Sequence, residues 1–170
     1  MADLIGVVVG GLVGFLSAYG MEELKRRAEK KEDCKRIARL TEILYEEVEQ
    51  LAELLAVDLA IVDSDELGFI LDYGRGTEEY DGKINAVIGR LRENTRIYDS
   101  QASSLLGLPG YLPNAMVRFY SRLEVNCGKM GEAVIRGDAS LISELRQLLL
   151  VEAEVLKGDL KKAKDEACAC

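Results

Sequence analysis

The hydrophobic pattern of the chain changes once, near Met21. Leu4 to Met21 is an uncharged run of 18 residues, and after it apolar residues recur at three- and four-residue steps. Ile37, Leu40, Leu44, Val48, Leu51, Leu55, Leu59 and Val62 fall on one helical stripe, with no proline or glycine between Met21 and Asp63. The spacing predicts one long helix running out of the apolar run, its stripe set against a bundle or a coiled-coil seam. Glu42, Glu46, Glu47, Glu49 and Glu53 are expected on its solvent face.

Asp63 to Lys83 breaks the period. Asp63 or Ser64 can cap a short turn through Leu71, and "YGRGTEEYDG", with three glycines in ten residues, reads as a loop. A second helix is predicted over Lys83–Leu106, with Ile84, Val87, Ile88, Leu91, Tyr98 and Ala102 on its apolar face. "GLPGYLPN" (Gly107–Asn114) holds both prolines and predicts a turn. A third helix follows, with Met116, Phe119, Tyr120, Leu123, Cys127, Met130 and Val134 at helical spacing. "RGD" at Arg136–Asp138 reads as a helix–helix turn, and Asp138 or Ser140 as the cap of a fourth helix carrying Leu141, Leu145, Leu148, Leu149, Leu156 and Leu160.

The expected fold is therefore all-α: an N-terminal transmembrane helix continuing into an antiparallel four-helix bundle. The divisions are a membrane anchor over 1–21, a basic juxtamembrane helix over 22–39, a cytosolic helical bundle over 40–164, and a tail over 165–170 that is expected to fray.

Charge order decides how the apolar run is read. A cleaved export signal places positive charge before its apolar region, whereas here Asp3 precedes the run and the Lys/Arg cluster follows it. The run is just long enough to span, since about 17 to 25 residues suffice. A buried core helix is the other alternative. Lys25, Arg26, Arg27, Lys30, Lys31, Lys35 and Arg36 place the long part of the chain on the cytoplasmic side of the cell (inner) membrane, N-terminus outside. The same side chains attract anionic lipid headgroups.

Within the run, Gly6, Gly10 and Gly14 recur every four residues and Ala18 continues the row. Residues four apart share a helix face, so the row makes a smooth groove where another helix can approach closely. It predicts a homo-oligomer packed through the span. Beyond Ser17 the run has no polar stripe.

Composition removes many chemistries. The chain has no histidine, which excludes Ser-His and Cys-His nucleophile pairs and His-ligated metals. A net charge of -8 gives no broad basic footprint for nucleic acid. Cys34, Cys127, Cys168 and Cys170 form no CxxC pair and read as reduced thiols. Di-iron bundles need Glu-x-x-His, so no metal, cofactor or catalytic residue is expected, and the protein is read as non-enzymatic. Glu152, on an otherwise apolar helix, is expected to be buried against a basic residue.

The segment richest in polar and aromatic groups is "RLRENTRIYDSQASSLLGLPGYLPNAMVRFYSRLE", Arg90 to Glu124. Arg92, Arg96, Tyr98, Asp99, Arg118, Tyr120 and Arg122 are candidates for a protein-partner or small-ligand pocket at that end of the bundle. The alternative is that Tyr98, Asp99 and Tyr120 brace the turn by hydrogen bonds.

"IYDSQASSLLGLPGYLPNAMVRFYSRLE" resembles bacterial one-span proteins with a Tyr-rich helix, a Leu-Pro turn and a Phe-Tyr helix. That resemblance implies an anchored bundle and brings no catalytic residues. The layout is also similar to small pore-forming accessory proteins of RNA-targeting CRISPR systems, which implies an oligomeric pore in antiphage defence. Two functions are thus expected: a self-associating anchored scaffold or docking module, and, alternatively, a membrane-permeabilising oligomer.

Overall fold

The computed structural model describes the backbone of residues 2–63 and 77–169, and side chains within 20–60, 81–95, 98–101 and 103–169. Every regular element among the described residues is helical. Helix α1 runs unbroken over Ala2–Ala56 and is followed by a 3-10 turn, Asp58–Asp63. Helix α2 covers Thr77–Glu93, α3 is the short Arg96–Gln101, and a second 3-10 turn occupies Ala102–Gly107. The long helices α4 (Leu112–Arg136) and α5 (Ala139–Cys168) complete the chain.

The C-terminal half of α1 forms because its apolar stripe has somewhere to go. Thr41, Leu44, Val48, Leu51 and Leu55 are all fully buried, which is the three-four spacing of a single face. Ile37 and Leu40, at the start of the predicted stripe, are only half-buried. Facing the stripe, α5 buries Leu145, Leu149, Ala153, Leu156 and Leu160, while α4, packed against α5 and α2, buries Met116, Phe119, Leu123, Cys127 and Met130. From α2 come Ile84, Val87, Ile88 and Leu91.

Polar pairings fix the direction of α5. Lys164 bonds Glu42 at 2.8 Å, Lys157 lies 3.7 Å from Glu49, and Arg146 bonds the Leu55 carbonyl at 2.6 Å. Residue numbers fall along one helix as they rise along the other, so α1 and α5 run antiparallel.

The connections follow their local chemistry. Gly110 and Gly137 take left-handed φ values of 61° and 68°, conformations that side-chain-bearing residues adopt at a cost. At Gly137 the chain closes α4 as the Asp138 amide returns to the Ala133 carbonyl, 2.9 Å. Asp138 then accepts from the Leu141 amide at 3.0 Å and caps α5. Of the two caps the sequence offered, Asp138 and Ser140, Asp138 is the one used.

Four expectations need correction. The helix predicted over Lys83–Leu106 starts at Thr77 and breaks at Asn94 and Thr95. Its early start takes Gly82, read as part of the loop, into α2. It breaks because the Tyr98 amide bonds the Glu47 carboxylate, 3.2 Å from each oxygen, instead of continuing the ladder. Thr95 helps by donating its hydroxyl to the Arg92 carbonyl at 2.9 Å.

Glu47, expected on the surface, is 2% exposed. Leu148, expected in the core, is 44% exposed, while Arg146 on the same helix is buried. The tail expected to fray stays helical through Cys168.

The turn predicted through Leu71 and the loop residues Tyr73–Gly76 lie outside the described residues. The predicted span forms the N-terminal part of α1, and its side chains through Tyr19 lie outside the described ones. Among the described residues no helix is long and apolar enough to cross a membrane.

Candidate functional site

The site is built around the buried carboxylate of Glu47. Helix α1 carries it inward on the face of Leu44, Val48 and Leu51, where ionised groups are costly without partners. Tyr120 of α4 donates its hydroxyl to one Glu47 oxygen. Tyr98 adds its backbone amide, and its ring stacks on that of Tyr120 with centroids 3.9 Å apart and planes 8° from parallel. Phe119 meets Tyr120 edge-on at 5.2 Å. Three helices are thereby joined through one carboxylate.

These surroundings tune the phenols. Burial first, and then its hydrogen bond to Glu47, push the Tyr120 hydroxyl far above its ordinary value. Tyr98 is raised by burial and by the nearby charge of Asp99. Both phenols stay neutral under physiological conditions, so the pair acts as donor and wall rather than as base.

Beside the ring pair lies an open groove of about 970 Å³, lined by Arg92, Thr95, Tyr98, Asp99, Tyr120 and Ser121 among others. Beneath it, Cys127 is fully buried. Burial raises its thiol to about 11, against the lowering pull of Arg92. A protonated, inaccessible thiol is no nucleophile. The groove offers one guanidinium, the two carboxylates of Asp99 and Glu124, and several hydroxyls around aromatic faces, a surface suited to holding a polar segment.

The seven candidates of the Arg90–Glu124 segment do not share this groove. Arg92, Tyr98, Asp99 and Tyr120 line it. Arg118 lines a different groove of about 320 Å³ between α4 and α5, with Tyr111, Val151, Glu152 and Val155. Arg122 pairs with Glu152, the partner type expected for that glutamate, although the Glu152 side chain is 24% exposed rather than buried. The Arg96 side chain lies outside the described residues. Helical periodicity explains the division, since positions 118 and 122 sit one turn apart on the α5 side of α4.

Of the basic set that follows the apolar run, Lys25, Arg26, Arg27, Lys30, Lys31, Lys35 and Arg36 are all exposed. Arg26 pairs with Glu22 at 2.9 Å, Arg27 with Glu23 at 3.1 Å, Lys25 with Glu29 at 3.9 Å and Arg36 with Asp33 at 3.7 Å. Gly6, Gly10, Gly14 and Ala18 lie in α1, in the part whose side chains are not described.

Two groups central to the fold escape pattern reading. Glu47 looks like any surface glutamate because its neighbours Glu46 and Glu49 are exposed. Arg146 bonds the carbonyls of Leu55 and Ala56, at 2.6 and 3.0 Å, and so satisfies the last turn of α1. Its position among Ile142, Leu145 and Leu149 was the available signal. Among the described residues no group of three or more His, Cys, Asp or Glu converges. No protein-family model, curated protein or solved structure matches the chain.

Proposed function

We propose that the protein is a non-enzymatic, single-span membrane protein that self-associates through its glycine row and presents a cytoplasmic helical domain as scaffold or docking module. The observation that carries this reading is the continuity of α1 from Ala2 to Ala56. One helix then holds the uncharged run, the basic segment and the core stripe. At about 1.5 Å per residue the run covers about 27 Å, close to the hydrocarbon thickness of a bilayer. The Lys/Arg cluster after it sets the orientation and meets anionic headgroups.

In this reading α1, α2, α4 and α5 make an antiparallel four-helix bundle, supported by the α1–α5 pairings. The groove beside Tyr98 and Tyr120 is its docking face for a protein partner.

The test is membrane extraction of the full chain with sodium carbonate, beside a chain lacking residues 1–21. Retention of the first and release of the second supports the anchor, and release of both rejects it. Gly10→Leu with Gly14→Leu should lower the oligomer mass in detergent, read by light scattering, while helix content is kept. An unchanged mass removes the glycine row from the reading. Dye leakage from vesicles carrying the full chain would instead favour a conducting oligomer.

A further inference from the structure

Between the apolar run and the helical domain, α1 is bare. From Gly20 to Arg36 every described side chain is exposed except those of Glu23 and Cys34, which are half-exposed. This stretch carries two large apolar residues, Met21 and Leu24, and they are 73% and 65% exposed. Their spacing is not arbitrary. Gly10, Gly14, Ser17, Met21, Leu24 and Ala28 follow one another by four, three, four, three and four residues. That is the a/d pattern of a left-handed two-helix seam, which averages 3.5 residues.

We propose that this face is a parallel interface with a second copy of the chain, which continues the packing of the run outward as far as Ala28. The inference rests on the anchored, self-associating reading above. The face shares Gly10 and Gly14 with the glycine row, leaves that row at Ser17, and adds the register of the outer contact and the point where it ends.

Charge supports the choice of occupant. With Met21 and Ala28 at a and Leu24 at d, Arg27 falls at g and Glu32 at e of the next heptad. In a parallel pair each g residue faces the e' residue five positions further on, so Arg27 meets Glu32 of the other copy twice by symmetry. Arg27 is 74% exposed and bonds Glu23 of its own chain at 3.1 Å, leaving other guanidinium donors to point across the seam.

The next core positions are Lys31 at d and Lys35 at a, both exposed. Like charges facing across a seam repel, so the helices part there. The domain begins a few residues later, where Leu40 and Thr41 enter the core. Two domains need more lateral room than two helices, and the fork supplies it.

Cross-linking of the full chain in membranes decides the matter. In a Cys34→Ser, Cys168→Ser, Cys170→Ser background, with buried Cys127 kept, Leu24→Cys should oxidise largely to a covalent dimer. Arg26→Cys, on the outer face at f, should stay monomeric. Equal yields at the two positions, or no dimer at Leu24→Cys, overturn the seam. Arg27→Glu should lower the Leu24→Cys dimer, and adding Glu32→Arg should restore it. Failure to restore it overturns the parallel register.

Introducing Gly10→Leu with Gly14→Leu separates this inference from the reading it rests on. If the Leu24→Cys dimer survives that pair, the outer seam stands and the glycine contact falls. If the pair lowers oligomer mass while Leu24→Cys never cross-links, the glycine contact stands and the seam falls.

Discussion

Helix α1 is held in two different ways along its length. From Thr41 to Leu55 it is fixed by tertiary burial, with Leu44, Val48, Leu51 and Leu55 fully enclosed. From Gly20 to Arg36 it touches little of its own chain, and its supports are i,i+4 and i,i+3 ion pairs such as Arg26–Glu22 and Arg27–Glu23. Such pairs add about 0.2 to 0.5 kcal/mol each, whereas each buried leucine contributes about 1.5 to 3 kcal/mol. The outer stretch is helical because helix on both sides removes the cost of nucleation. The inner stretch would be ordered by packing in any case.

The comparison breaks most visibly under leucine truncation. Leu51→Ala should lower the unfolding free energy by about 3 to 4 kcal/mol in denaturant titration, within the usual range for a leucine left as a cavity. Leu24→Ala should leave the same transition unmoved, because Leu24 is 65% exposed. A comparable loss at Leu24 would mean that the domain leans on the exposed stretch from Gly20 to Arg36.

Next comes the polar joint. Glu47→Ala strands the Tyr120 hydroxyl and the Tyr98 amide and should cost about 2 to 3 kcal/mol by thermal or chemical unfolding. Tyr120→Phe, which keeps the ring stack, should cost about 1.5 kcal/mol, the lower figure for a hydrogen bond to a charged group. If both variants unfold like the parent, the joint adds nothing beyond packing.

The pH dependence follows from raised pKa values in the folded state. Cys127 rises from 9.0 to about 11, and Tyr120 rises above its ordinary 10.0. A group raised on folding gives its full stabilisation below its unfolded value and loses it as pH climbs. The unfolding free energy should therefore fall from about pH 9 upward. Cys127→Ala should flatten the part of that slope between pH 9 and 11, and Tyr120→Phe the part above pH 10. Slopes that do not change in these variants would assign the loss to other groups.

The smallest effect belongs to the exposed stretch of α1 from Gly20 to Arg36. Glu22→Ala with Glu23→Ala should cost about 0.5 to 1 kcal/mol of local helix stability, summed over two pairs and screened by salt. Amide exchange over residues 22–30 would speed up at low salt, while protection at Leu51 would not change. Equal protection in parent and variant would show the pairs to be inert.

Much of the fold is legible in periodicity. The α4 stripe from Met116 to Val134 buries as its spacing requires, and Asp138 caps α5 as its residue type suggests. Legibility fails where a distant group competes with the local ladder. Glu47, 51 positions before Tyr98, takes that residue's amide and breaks a helix that local propensity would continue. The candidate site was legible only in composition. Its residues were named, but their division between two grooves depended on how α4 is rotated against α5.

Helical class, the long first helix, the turn at Gly137 and the reversal of pattern near Met21 were determined by the sequence alone, because each depends on neighbours within a few residues. Tertiary structure alone decided that Glu47 goes inside and that α2 stops at Glu93. Those outcomes turn on whether a partner from another helix can satisfy a buried polar group, and spacing along the chain carries no record of that.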